Sequence, residues 1–478
     1  MPPCASLPLL AGRITLSEAL DAEDDILEKL SYPEKRLDFC SHLHAHADEI
    51  ETIVSHHLHV SRDSCRAPWV DEWVHGSFNI GESTHPGNAD EKLRCEVATY
   101  AWIQAHCPWV PIPRLWGFGF PGGPIFTALD RAPLVSQLGW YIRRSLLWML
   151  GRPCPSGYVT CPRRLNLSSG YLVVDFVQHG RMLSETWDAL RQDDNRRKTI
   201  HRDISRIMLE LARVPFPRIG SLTMDNHAVV SLTNRPLTLN LHQLENEGLQ
   251  TNIARDLTYA TADTYLLDLL ACHDHRIRHL PNAILDYADG QSQLSALTIM
   301  RALLPHFTDR ELRHGPFVLM LTDLHPSNRA CSRPVEMLLP PHWLTGRAID
   351  QITGEHLVAY GQRLDEFVSV FEEEEKTTAA RDTGSVVAYA DAMRTAWETG
   401  RFWYMSAVEA STGLYNLFLQ HIQPIYGDAA TEPWKEFERL VAPYWAPGSS
   451  ELISRKVHER ERYLEQIREA FGRGASEG

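Results

Sequence analysis

The most restrictive stretch of this 478-residue chain is Pro316–Asn328, PFVLMLTDLHPSN. An uninterrupted apolar run, Phe317 to Leu321, empties into a polar loop that carries Asp323, His325 and Asn328. The run is short, β-compatible and closed by the turn formers Pro326 and Ser327. This pattern predicts a buried strand followed by a loop. Polar side chains converge at the ends of buried strands, where they need not fill a core.

Asp323 and Asn328 stand at D-x-x-x-x-N spacing. In kinase-type phosphotransferases the Asp at this spacing orients a substrate hydroxyl and accepts its proton. The Asn supplies a carbonyl oxygen, which suits Mg²⁺, a hard cation. The spacing by itself is common. The structural alternative is a turn in which both side chains cap backbone groups.

The rest of the composition bounds the class. Hydrophobic residues at 44% and charged residues at 23% describe a globular protein with a sizeable core. The formal net charge of −14 argues against a general nucleic-acid or anionic-membrane binder, which needs a basic face. The nine cysteines are scattered, odd in number and without a C-x-x-C pair, which predicts free thiols in a reducing compartment. No basic leader precedes an apolar run at the N-terminus, and no run approaches the ~20 apolar residues of a membrane span. A cytoplasmic protein is the expectation.

Along the chain, Leu16 to Leu30 predicts one short acidic helix, and Arg36 to Val60 a histidine-rich one. His42 and His46, four apart, could share a face as zinc ligands do. No third ligand stands at a recognised spacing, so a solvated face is the better reading. Trp69 to Phe78 reads as a strand and Glu91 to Ala105 as a helix. Val110–Phe126 and Gly170–Val177 read as further strands. Between them Trp140–Leu150, WYIRRSLLWML, predicts a packed insertion helix, with membrane contact as its rival. His201-Arg202-Asp203 is an HRD triplet inside a helical stretch, Asp193–Val214, with Met208 five after the Asp. It therefore predicts a salt-bridged helix face and not a catalytic loop. Ser221–Leu232 predicts a hairpin. Asp256–His275, Ser292–Phe307, Leu364–Glu375 and Thr395–Leu419 predict helices, and Leu452–Ala470 a solvated terminal helix.

TDLHPSN resembles the H-G-D-x-H-x-x-N loop of the aminoglycoside-phosphotransferase-like (choline-kinase-like) family. Thr322 stands where that family has Gly, and Leu321 where it has His. GSFNI at Gly76–Ile80, EKLRCEVATYAWIQ at Glu91–Gln104, VPIPRLWGFG at Val110–Gly119 and SGYLVVDFV at Ser169–Val177 resemble its large fungal branch. So do LTNRPLTL at Leu232–Leu239, CSRPVEML at Cys331–Leu338 and TGLYNLF at Thr412–Phe418.

The resemblance implies an α+β, protein-kinase-like two-lobe fold with helical N- and C-terminal extensions. Residues 1–60 would form a helical extension and 61–179 the small nucleotide-binding-type lobe. Residues 180–348 would form the large lobe with the catalytic loop, and 349–478 a helical C-terminal part. The implied activity is ATP-dependent phosphoryl transfer to a small-molecule hydroxyl, with ATP and Mg²⁺ as cofactors. In that scheme Asp323 is the base, His325 supports the loop and Asn328 holds the metal. Ser77 lies in the segment leading to the nucleotide loop. Glu96 is the helix glutamate that pairs with a phosphate-binding lysine. Asp175 and Phe176 form the hinge that meets an adenine edge.

Two parts of the family pattern are missing. Ile80 passes almost directly into GESTHPGNADEKLRCE, where the family has two strands, the second bearing a basic residue. Asn328 runs within two residues into CSRP, where the family has a hairpin carrying a metal-binding Asp. Asp350 is the next Asp and lies past the expected site. The alternatives are an inactive, pseudokinase-like binding or scaffold protein and a shortened product of a gene for an active enzyme. The acceptor and the oligomeric state are not readable.

Overall fold

The computed structural model describes residues 6–10, 12–73, 85–161, 167, 169–178, 181–321, 330–379, 388–410, 413–427 and 432–474. The fold is α+β, rich in helix, with small antiparallel sheets.

The chain opens with a short hairpin, β1 (Ser6–Pro8) and β2 (Arg13–Thr15), then α1 (Leu16–Asp21), α2 (Ile26–Ala45) and α3 (Ala47–Leu58). The single helix expected over Leu16–Leu30 is two. Thr15 and Glu18 close a capping box on α1, and the Asp25 carboxylate caps the start of α2. The second expected helix also breaks, at His46, whose backbone leaves the helical region. The His42 and His46 rings do lie together, 4.4 Å apart. His46 Nδ1 is 2.8 Å from the carbonyl oxygen of His42. No group of three metal-ligating side chains occurs among the described residues. The expected strand from Trp69 begins instead as a turn of 3₁₀ helix, Val70–Glu72.

Next comes α4 (Asn88–His106), followed by a four-stranded sheet. Its strands are β3 (Leu115–Gly119), β4 (Ile125–Ala128), β5 (Tyr158–Cys161) and β6 (Tyr171–Val174), in the order β5-β4-β3-β6, antiparallel throughout. Sequence reading missed β5, which is too short to show a period. Between β4 and β5 lies α5 (Leu134–Met149), none of whose residues is buried. The expected packed insertion helix is therefore a helix on the surface.

The larger helical part follows. It holds α6 (Leu183–Leu190), α7 (Asp194–Ala212) and the hairpin β7 (Ser221–Met224)–β8 (Val230–Asn234). Then come α8 (Leu239–Asn246), α9 (Ala262–His279), α10 (Tyr287–Phe307) and a second hairpin, β9 (Phe317–Leu321)–β10 (Ala330–Pro334). The HRD triplet lies within α7. Arg202 pairs with Glu374 at 3.3 Å and Asp203 with Arg206 at 3.9 Å, as a salt-bridged face requires, whereas His201 is buried.

The last part comprises α11 (Glu355–Ala379), α12 (Tyr389–Glu398), α13 (Arg401–Glu409), α14 (Leu414–Leu417), α15 (Gln423–Tyr426), α16 (Glu432–Val441) and α17 (Ser449–Gly474). One continuous apolar core runs from α4 and the sheet through α9 and α10 to α13. A second, small core joins the two ends of the chain: Ile14, Ala19 and Ile26 against Tyr463, Ile467 and Phe471. The terminal helix is thus not solvated all round. The Ile26 N–H donates to the Tyr463 hydroxyl at 2.7 Å and fixes this junction.

Candidate functional site

β9 is a buried strand, as its sequence predicts: Phe317 through Met320 are all at or below 7% exposure. It pairs with β10 in register, Leu321 opposite Ala330. The two strand ends that carry the polar loop therefore lie side by side. Asp323, His325 and Asn328 themselves fall in 322–329, outside the described residues, as does Ser77.

The hairpin is fastened from below. The Phe216 N–H donates to the Phe317 carbonyl at 2.7 Å, and the Ser332 N–H to the Gly220 carbonyl at 2.8 Å. The Ser332 hydroxyl accepts from the Gly220 N–H and sits 2.8 Å from the Arg218 carbonyl, to which it donates. Ser332 is fully buried, so these bonds are made away from water, where leaving them unmade is costly.

Beside β10 lies a cavity of about 350 Å³. Leu241 and Leu244 of α8, Tyr265 and His273 of α9, Arg333 of β10 and Glu409 of α13 line it. Arg333 is three residues along β10 from Ala330, roughly 10 Å at the usual strand rise. The cavity therefore sits to one side of the loop mouth. Arg333 is ion-paired with Glu409. Burial works against the guanidinium charge, but the Glu409 carboxylate outweighs it and holds Arg333 protonated. The Tyr265 hydroxyl is buried and has no hydrogen-bond partner among the described residues. The cavity wall thus combines an apolar lining, a fixed ion pair and the unpartnered Tyr265 hydroxyl.

A second polar cluster lies at the foot of α4. Glu91, 5% exposed, accepts from Arg235 Nε at 2.8 Å and from Arg235 Nη2 at 2.7 Å. Arg235 also donates to Glu245 at 2.6 and 2.8 Å and to the Ile253 carbonyl at 2.8 Å. Those bonds engage every guanidinium donor. Asn234 Nδ2 and Arg255 Nε add bonds to Glu91 at 2.9 and 3.1 Å, and His242 Nε2 lies 3.8 Å away. Burial alone raises the Glu91 carboxyl, but the His242 and Arg235 contacts and the Arg235 charge more than offset it. They hold the group well below the usual carboxylate range.

The helix glutamate named from the sequence, Glu96, is half-buried on α4. The ion pairs with Arg235 and Arg255 are made by Glu91, five positions earlier. Asp175 follows β6. Its carboxylate accepts from Trp116 Nε1 at 2.7 Å, and its N–H donates to the Arg114 carbonyl at 3.0 Å. Phe176 is 81% exposed. Both lie where the sheet gives way to the segment leading to α6.

The described residues of the site fit Mg·ATP poorly. None of the strands β3 to β6 carries a lysine or arginine. The strand that follows the loop, ACSRP, brings a guanidinium and no carboxylate. Asp350 is exposed on a separate 3₁₀ turn, Ile349–Gln351.

Sequence reading marked the stretches that contain Glu91 and Arg235 but did not join them. Partners 144 positions apart leave no local spacing to find. The Tyr265 cavity left no motif at all. The chain matches no family model, no curated protein and no solved structure.

Proposed function

We propose that this chain is a phosphotransferase-like protein that has kept small-molecule binding, with phosphoryl transfer slow or lost. In this reading Asp323 orients an acceptor hydroxyl, His325 supports the loop, and the fold is kinase-like. Asn328 alone leaves Mg²⁺ short of the carboxylates it ordinarily takes.

The observation that carries the reading is the register of β10. Ala330 to Pro334 pair directly with β9, so the strand emerging from the D-x-x-x-x-N loop presents Cys331, Ser332 and Arg333. An active site of this class needs an aspartate on the segment after the loop to hold the metal. Arg333, the one ionisable side chain among Ala330 to Pro334 with a fixed charge, is committed to Glu409, so the strand offers a metal no carboxylate. The loss of charge clamps of this kind costs orders of magnitude in rate.

The test pairs binding with turnover on the full chain. Thermal-shift measurements with and without Mg·ATP report nucleotide binding. A ligand at 100 times its Kd adds about 2.7 kcal/mol, a shift of several degrees. Transfer from labelled ATP to a panel of small alcohols and amino sugars reports chemistry. The expected result is a small or absent nucleotide shift, and transfer at a trace level that Asp323→Ala does not change. Robust transfer that Asp323→Ala abolishes would overturn the proposal and make the chain an active kinase.

A further inference from the structure

Among the described residues α5 is unlike every other helix of comparable length. Its sixteen residues, LVSQLGWYIRRSLLWM, contain no acid, and none is buried. The helix is held at one side only. Trp140 Nε1 donates to the Ser156 carbonyl at 2.9 Å, and Arg144 donates to the Pro155 carbonyl at 3.0 Å while stacking on the Trp140 ring. At 100° per residue those two positions, with half-buried Gln137 and Leu147, mark the face turned to the protein.

The opposite face is apolar. Leu134, Val135, Leu138, Ile142, Leu146 and Met149 fall within one broad arc of the helix, with Tyr141 and Trp148 at its flank. Leu134 is 81%, Trp148 75% and Met149 65% exposed. Scattered apolar side chains on a surface need no explanation, but a contiguous face of this width marks an interaction site.

The charge around it selects the partner. Between Asp130 and Asp175 there is no Asp or Glu, and there are six arginines: Arg131, Arg143, Arg144, Arg152, Arg163 and Arg164. The chain as a whole carries −14, so this is a local reversal of sign. Arg143 and Arg152 are exposed and pair with no acid among the described residues. A helix with a Trp- and Leu-rich face, flanking arginines and no acids has the composition of an interfacial amphipathic helix. Its length, about 24 Å at 1.5 Å per residue, is short of a bilayer core of about 30 Å. No helix among the described residues is long and apolar enough to cross a membrane.

We propose that α5 docks this protein on an anionic lipid surface. The helix lies in the plane of the bilayer, its apolar face among the acyl chains and Arg143 and Arg152 against lipid phosphates. The long arginine stems reach outward from the helix while their heads stay at headgroup depth. A docked α5 would turn the adjoining four-stranded sheet, through β5, toward the membrane.

Co-sedimentation of the full chain with phosphatidylcholine vesicles, with and without phosphatidylserine, tests this. The expected result is binding to the phosphatidylserine vesicles that weakens as salt is raised. The double variant Arg143→Ala/Arg152→Ala should weaken partitioning about thirtyfold, at the usual value of a near-surface arginine. Leu138→Glu/Ile142→Glu should abolish it. All four side chains are exposed, so both variants fold, and an unchanged melting temperature verifies it. Trp148→Phe should remove most of the fluorescence blue shift that vesicles induce. Failure to sediment with phosphatidylserine vesicles at low salt would overturn the proposal. So would a concentration-dependent dimer that Leu138→Glu/Ile142→Glu dissociates while vesicles leave the wild type in solution, since a second copy would then own this face.

Discussion

Arg235 grips Glu91 through two parallel hydrogen bonds, 2.7 and 2.8 Å long, across the junction between α4 and the segment after β8. Both side chains are 3% exposed, and Glu245 takes the remaining edge of the guanidinium. A charge pair this deep contributes little if both partners are removed together. It is costly to break from one side, because the surviving charge stays buried without compensation.

Arg235→Ala should therefore destabilise the protein by about 3–5 kcal/mol. Arg235→Lys should recover only part of the loss, since an ammonium cannot engage two carboxylates as a fork. Urea denaturation of the three proteins measures this. An Arg235→Ala loss below about 1 kcal/mol would show that the cluster is open to water, as surface pairs are.

Acid should weaken the fold in two separate steps. His57 is fully buried, with Nδ1 3.0 Å from the Thr127 hydroxyl and Nε2 3.1 Å from the Tyr171 hydroxyl. Burial, with His56 and His59 nearby, pushes its pKa down to about 3. Burial likewise pushes His201, His273 and His421 down to about 4. In each case the unfolded chain takes up a proton below its ordinary value of 6.5 and the folded chain does not. Stability is complete above that pH and falls as pH drops toward 3, by up to about 1.4 kcal/mol per pH unit for each ring. Glu91 acts later. Its folded pKa is depressed, so its contribution is present above the ordinary carboxylate range and lost below about pH 4.5. Urea midpoints measured between pH 7 and pH 5 follow the histidine step, and His57→Leu, which removes one of the four rings, should make it shallower by about a quarter. A flat profile over that interval would contradict the buried neutral rings.

The sequence made β9 legible because a short apolar run ending at turn formers has few other folds open to it. The helix α4 was legible for the same reason of pattern: Leu93, Val97 and Tyr100 repeat at helical spacing. What escaped depends on contacts between distant parts. α17 looked polar enough to be solvated, and its buried face appears because α1, β1 and α10 pack against it. α5 looked apolar enough to be packed, and no other part of the described chain covers its apolar face. Composition reports what a helix could bury, not what the fold supplies to bury it against.

Cys161 should be the most reactive of the described thiols. It ends the edge strand β5, half-buried, with Sγ 3.1 Å from His56 Nε2, within hydrogen-bond reach of the imidazole. The contrast is with Cys107 and Cys272, whose thiols burial pushes up to about 11 and about 12. Only the thiolate is nucleophilic. Iodoacetamide labelling followed by peptide mass spectrometry should find Cys161 modified first, and His56→Ala should slow that site without changing the order of the others. Equal rates at Cys161 and Cys272 would refute the pairing.

Tyr265 poses the opposite problem, a polar atom with nothing to do. Its hydroxyl is buried against the cavity beside Arg333 and Glu409 and makes no hydrogen bond among the described residues. Deleting a hydroxyl that makes a good buried bond costs about 1 kcal/mol or more, whereas deleting an unmatched one costs nothing and removes a desolvation penalty. Tyr265→Phe should therefore leave stability unchanged or raise it by up to about 1 kcal/mol. A ligand that fills the cavity and satisfies the hydroxyl reverses the sign. In a thermal-shift screen of small polar molecules, a true occupant of this cavity raises the melting temperature of the wild type more than that of Tyr265→Phe. A clear loss of stability in Tyr265→Phe without ligand would mean that the hydroxyl already has a partner and is not free to meet a ligand.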